Sequence, residues 1–131
     1  MVRAFVTLPG RVDQWKAVDF LIDTGADITS VHPLTSLTVL GIPPLHLFDD
    51  GYWPTVRSSG GVGGGATYYE APARYAFIRE DQTVCIVDDA IFIAKWTEGN
   101  QAFPSLLGRN VLRHFRMEID WFSDAVTFHE P

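Results

Sequence analysis

The sequence predicts an all-β domain, barrel-like or sandwich-like, with one or two short helices. Three observations carry this. Alternation of apolar and polar residues is the dominant pattern along the chain. Turn signals built from Gly, Pro and Asp recur at short intervals. The length of 131 residues fits a single domain spanning 1–131, and 47% hydrophobic with 20% charged residues is the composition of a globular chain with one core.

The elements follow in order. Val2, Ala4, Val6 and Leu8 face one way and Arg3, Phe5 and Thr7 the other, in a strand ended by Pro9-Gly10. Ala17 to Ile22 is a second, more apolar strand, and the two can form a hairpin. Asp23-Thr24-Gly25-Ala26 breaks the pattern, and Ile28 to Val31 resumes a short strand. Pro33 suits the first position of a helix, where its missing N–H needs no partner. Leu34, Leu37 and Leu40 recur at helical spacing, and Gly41 supplies the stop. Residues 45–58 show only a turn signal, Asp49-Asp50-Gly51, and a Trp53-Pro54 pair that resists both helix and central strand. The run Gly60-Gly61-Val62-Gly63-Gly64-Gly65 follows, and Thr67 to Ile78 returns to strand, with Pro72 as an edge marker. Thr83 to Val87 and Ala90 to Ala94 read as two strands joined by a turn at Asp88-Asp89. Arg109 to Phe115 reads as a short helix with Val111, Leu112 and Phe115 on its apolar face. Met117 to Phe128 alternates about a Ser123-Asp124 turn, a C-terminal hairpin.

Charge and composition exclude several classes. The formal charge is −6 with a pI near 5.0, and no Lys/Arg cluster is longer than a pair. Nucleic acid and anionic membrane surfaces both need concentrated basic charge and are not expected partners. No apolar run approaches the roughly 18–20 residues that span a bilayer. The N-terminal segment lacks a signal peptide's apolar run, so a soluble, cytoplasmic protein is the expectation. One cysteine, Cys85, excludes an internal disulfide framework and a Cys-based zinc site. His32, His46, His114 and His129 lack ligand spacing, so neither metal nor cofactor is expected.

Three short segments could carry chemistry. Asp23-Thr24-Gly25 places a carboxylate directly after Phe20-Leu21-Ile22, at the end of a strand expected to be buried. Such a carboxylate is rigid and partly desolvated, and needs compensating donors. Gly25 lets backbone N–H groups approach, and Thr24 adds a hydroxyl. By itself the tripeptide also reads as a turn closed by an Asx hydrogen bond. The glycine run lacks the Gly-Lys-Ser/Thr ending of a phosphate loop and reads as a hairpin tip, or as a plain turn. Leu106-Leu107-Gly108-Arg109-Asn110 suggests close backbone approach at Gly108, or simply core packing before a helix.

Taken in order, the three segments resemble the retroviral-type aspartic proteases, the retropepsins. Phe20 to Thr29 looks very like that family's active-site loop, and Leu106 to Asn110 is similar to the segment that crosses behind it. The resemblance is closer to the retroviral-like domains of cellular and bacterial proteins than to compact viral enzymes. It implies a closed, barrel-like acid-protease fold with one lobe per chain. It implies Asp23 as the catalytic carboxylate, with Thr24 bonding across a subunit interface and Gly25 contacting substrate backbone. Ala26 and Asp27 would line the cleft, Gly60, Gly61, Val62 and Gly63 would form a flap, and Leu21, Val62, Pro104 and Leu106 would shape apolar pockets. Thr29, Gly108 and Arg109 would be structural support, with Asp27 and Arg109 as a partly buried ion pair and Trp53 at the cleft rim.

Aspartic protease chemistry needs two carboxylates, and this chain has one Asp-Thr-Gly. An active enzyme is therefore expected to be a homodimer cutting peptide or protein substrates, its two copies of Asp23 meeting at a twofold axis. The C-terminal hairpin is expected to supply the interface sheet. The alternative from another class is a noncatalytic dimeric peptide-binding or assembly module of the same fold. An aspartyl phosphoryl acceptor is disfavoured, because no phosphate loop or second metal-binding acidic motif accompanies Asp23.

Overall fold

The computed structural model describes residues 1–59 and 66–130, so the expected flap residues Gly60, Gly61, Val62 and Gly63 lie outside the described residues. The first two alternating runs form the expected hairpin. β1 (Val2–Leu8) and β2 (Val12–Ile22) pair antiparallel from Val2↔Phe20 to Leu8↔Val12. Gly10 turns the chain between them at φ +80°, a conformation that favours glycine. The alternation puts Ala4, Val6, Leu8 and Phe20 at zero exposure in the core.

The rest of the chain wraps this hairpin into a barrel. β3 (Ser30–Val31) leads into α1 (Pro33–Thr38), and two 3-10 turns, Pro44–Leu47 and Asp50–Tyr52, precede β4 (Thr55–Ser59). β5 (Ala66–Ile78) and β6 (Val84–Ala94) form the longest ladder, followed by β7 (Ser105–Leu107) and α2 (Arg109–Leu112). The order β1-β2-β7-β3-β6-β5 closes because β5 pairs back onto β1, giving a six-stranded barrel with two short helices. The β2–β7 and β3–β6 contacts are parallel; the others are antiparallel. Closure satisfies strand edges that would otherwise stay open.

β5 shares its second edge between two partners. β4 pairs with it up to Glu70, and β1 takes over at Arg74. Pro72 falls in the gap, where one edge of β5 has no partner, which is the setting a strand proline needs.

Three expectations are corrected. Asp88-Asp89 is no turn: β6 runs unbroken from Val84 to Ala94, in register with β5 throughout. Arg74 on β5 pairs with Asp88 at 3.0 Å, and Asp89 is met by donors from beyond the strand, so two adjacent acids are tolerated there. Trp53 does not form a rim. It is 5% exposed, stacks on Tyr69 at 5.4 Å and donates its indole N–H to the His46 carbonyl, which lets the whole ring be buried. Leu34 is exposed, because α1 buries Pro33 and Ser36 and packs Leu37 against the core, while Leu40, beyond the helix, is buried.

The C-terminal hairpin forms as expected, from β8 (Arg116–Asp120) and β9 (Ala125–His129), and makes its own two-stranded sheet. Its base packs on the barrel through Met117 and Phe128, the latter stacked on Phe115 at 5.4 Å. Its distal half overhangs, with Ile119, Val126, Trp121 and Phe122 exposed. Among the described residues no helix is long and apolar enough to cross a membrane.

Candidate active site

β2 ends on Phe20-Leu21-Ile22, held parallel to β7 in the register Phe20↔Ser105, Leu21↔Leu106, Ile22↔Leu107. The next residue is Asp23. Its amide donates to the Leu107 carbonyl at 3.0 Å, so the ladder fixes Asp23 one step beyond the strand. The chain then turns. The Gly25 amide donates to Asp23 Oδ1 at 3.0 Å, and the Ala26 amide to the Asp23 carbonyl at 3.2 Å. The segment is thus an Asx turn and also a carboxylate set at the end of a core strand. Asp23 is half-buried, whereas Thr24 and Gly25 are exposed. A carboxylate has about four lone-pair sites, so an Asp23 that accepts one local N–H can still engage a water or a second acid.

The floor of this loop is the segment 107–110. A Cβ on Gly108 would lie 2.1 Å from the Ile28 carbonyl oxygen and 3.0 Å from that of Ala26. The Gly108 amide donates to Thr29 Oγ1 at 3.0 Å, the Arg109 amide to the Ala26 carbonyl at 2.8 Å, and the Asn110 amide to the Asp27 carbonyl at 3.2 Å. Successive amides opening α2 therefore meet acceptors along the loop, supplying the first-turn N–H groups with partners.

A further chain of hydrogen bonds runs beneath. Thr29 Oγ1 donates to Asn110 Oδ1 at 2.8 Å. Asn110 Nδ2 donates to Asp89 Oδ1 at 3.1 Å and to the Ala90 carbonyl at 2.8 Å, which also accepts the Tyr75 hydroxyl. Asp89 Oδ2 faces His114 Nε2 at 2.9 Å and an Arg113 guanidinium nitrogen at 3.2 Å. Burial works against the Asp89 charge, but His114, Asn110, the Ala90 amide and Arg113 outweigh it and hold its carboxyl below the ordinary value.

The structure brings most of the expected residues to this place. Thr29 is fully buried and, with Gly108, supports the loop. Leu21 and Leu106 lie side by side in register, Leu21 exposed and Leu106 half-buried, next to Asp23. Ala26 is half-buried and Pro104 is exposed. Asp27 and Arg109 do pair, but their side chains are 79% and 57% exposed, which corrects the expectation of a partly buried pair. The backbone amides of 109 and 110 seat the loop, leaving these two side chains at the surface.

His32 adds an anchor that no sequence signal marks. It is 5% exposed, between the rings of Phe103 at 5.4 Å and Tyr68 at 6.3 Å. Burial lowers its pKa, only partly opposed by a hydrogen bond to the Pro104 carbonyl. Its Nδ1 finds no hydrogen-bond partner among the described residues, so ring packing holds it in place. Asn110 and Asp89 are likewise beyond the expected set. Asn110 falls in the segment 106–110, where nothing local distinguishes it. Two adjacent acids flanked by Cys85-Ile86-Val87 and Ala90-Ile91-Phe92 are the available signal for Asp89.

No protein-family model matches the chain, and no curated protein matches it.

Proposed function

We propose that this chain is an aspartic endopeptidase of the retropepsin-like kind, active as a homodimer with one catalytic Asp23 per subunit. The observation that carries the reading is Asp23-Thr24-Gly25 set at the end of a barrel strand, over a floor so close that Gly108 has no room for a Cβ. A rigid carboxylate with free lone pairs is what general acid–base hydrolysis requires.

One carboxylate is not enough. Two acids side by side share a proton, so that one activates water while the other, protonated, polarises the scissile carbonyl. The second Asp23 comes from a second copy across a twofold axis, and the exposed Thr24 hydroxyls bond between the two loops. Substrate lies extended against the loop and is held through main-chain hydrogen bonds. Leu21 and Leu106, with Pro104 at the lip, favour apolar side chains beside the cut. The overhanging half of the β8–β9 hairpin is the surface assigned to the second copy. Large apolar groups in solvent mark interaction sites, and Ile119, Val126, Trp121 and Phe122 are such a group. A cytoplasmic setting belongs to the same proposal.

The test pairs cleavage of an unstructured protein with sedimentation. Wild type cuts, with an acidic to near-neutral optimum, and sediments as a dimer. Asp23→Asn sediments alike and does not cut. Equal cleavage by both would remove Asp23 as catalyst, and a monomer at every working concentration would remove the mechanism. A dimer that binds extended peptides without cutting them would be a recognition module instead.

A further inference from the structure

We propose that Asp89 is a positioning residue for the Asp23 loop, acting through Asn110 and Thr29 on Gly108. The route is continuous. Asp89 Oδ1 receives Asn110 Nδ2, Asn110 Oδ1 receives the Thr29 hydroxyl, and Thr29 Oγ1 receives the Gly108 amide. Each link fixes the direction of the next. Asn110 can offer its carbonyl oxygen to Thr29 only with its NH₂ turned toward Asp89 and the Ala90 carbonyl. Thr29 can accept from Gly108 because its own proton is committed to Asn110. The Gly108 amide in turn sits beside Leu107, whose carbonyl holds the amide of Asp23.

Burial makes this arrangement consequential. Thr29 is fully buried and Asp89 is 14% exposed at its side chain, so a broken link leaves a polar group without water. The carboxylate is itself fixed by the Ala90 amide at 2.8 Å and, on its other oxygen, by His114 and Arg113. The two oxygens therefore have separate roles, since Oδ1 holds Asn110 while Oδ2 is tethered to the surface. Asp89 reaches no reacting atom in this scheme; it sets the place of the loop that does.

The inference rests on the protease reading only for its kinetic arm. The first arm is amide hydrogen exchange on the full chain, with the β1–β2 ladder as internal reference. Asp89→Ala speeds exchange of the Gly108 and Asp23 amides about tenfold and leaves the reference ladder unchanged. Asp89→Asn keeps a carbonyl oxygen for Asn110 and restores both amides to within about threefold of wild type. His114→Ala, which touches only Oδ2, leaves both in that range. Should Asp89→Ala not fold, Asn110→Ser interrupts the same route and carries the same expectation.

The second arm is kinetic: Asp89→Ala lowers kcat about tenfold at unchanged KM, and Asp89→Asn restores it. Unchanged exchange at Gly108, a uniform rise across the reference ladder, or no rescue by Asp89→Asn would overturn the proposal. So would altered exchange with unaltered kcat. If wild type shows no Asp23-dependent cleavage, the protease reading falls, and the exchange arm still decides whether Asp89 holds the loop.

Discussion

A β-carbon on Gly108 would sit 2.1 Å from the Ile28 carbonyl oxygen and 2.4 Å from its carbon, both backbone atoms that cannot rotate aside. Gly108→Ala must therefore push the loop off its floor. Such overpacking costs about 1–3 kcal/mol, seen as a lower midpoint in thermal unfolding. The neighbouring ion pair makes a useful contrast. Arg109 and Asp27 are mostly in solvent, and Arg109→Ala costs about 1 kcal/mol or less, because water screens both charges. If Arg109→Ala is the worse substitution, the seat of the loop is side-chain charge and not backbone contact. Among single residues, then, a hydrogen atom at 108 outweighs a salt bridge at 109.

The elements divide by whether their partners are near in sequence. The C-terminal hairpin closes on itself, and its overhanging half has little to do for the barrel. Trp121 is 83% exposed and Phe122 fully exposed, so Trp121→Ser with Phe122→Ser removes no barrel packing, and the unfolding midpoint falls only by what dimerisation contributes. By the dimer assignment the same double variant sediments as a monomer and loses cleavage. A stable dimer would free the hairpin tip of that role. This hairpin was legible in the sequence, as were β1–β2 and the Asp23 loop, because alternation and turn residues are local signals. β6 was not. Its two acids resemble a turn until Arg74 and Asn110, far along the chain, are seen to receive them. Residues 45–58 were opaque for a related reason. Two 3-10 turns and the stacked Trp53 and Tyr69 rings have no period to detect. The seat of Asp23 was legible at Gly108, and the route beneath it was not, since Asp89 and Asn110 are ordinary residues until the fold joins them.

For the whole molecule, acid acts in two stages. His32 has a folded pKa below its ordinary 6.5, so the unfolded chain takes up the proton more readily. Its contribution is complete above about 6.5 and is lost as pH falls toward the folded value. Asp89, also depressed, contributes fully above its ordinary value of 3.8 and fades only below it. Thermal midpoints of wild type should fall first below pH 6.5 and again in strong acid. His32→Gln, whatever its starting stability, should flatten the first stage alone. A wild-type curve already flat between pH 7 and 5 would mean that His32 is not held neutral.

The pairing of Thr29 with Gly108 joins residues 79 positions apart. A ribosome delivers the Asp-Thr-Gly early and its support late. A nascent chain halted before Ser105 displays the whole acidic tripeptide with nothing under it, neither β7 to align it nor Leu107 to take its amide. Alignment of the acid by β7 therefore waits until β1 to β6 have been made.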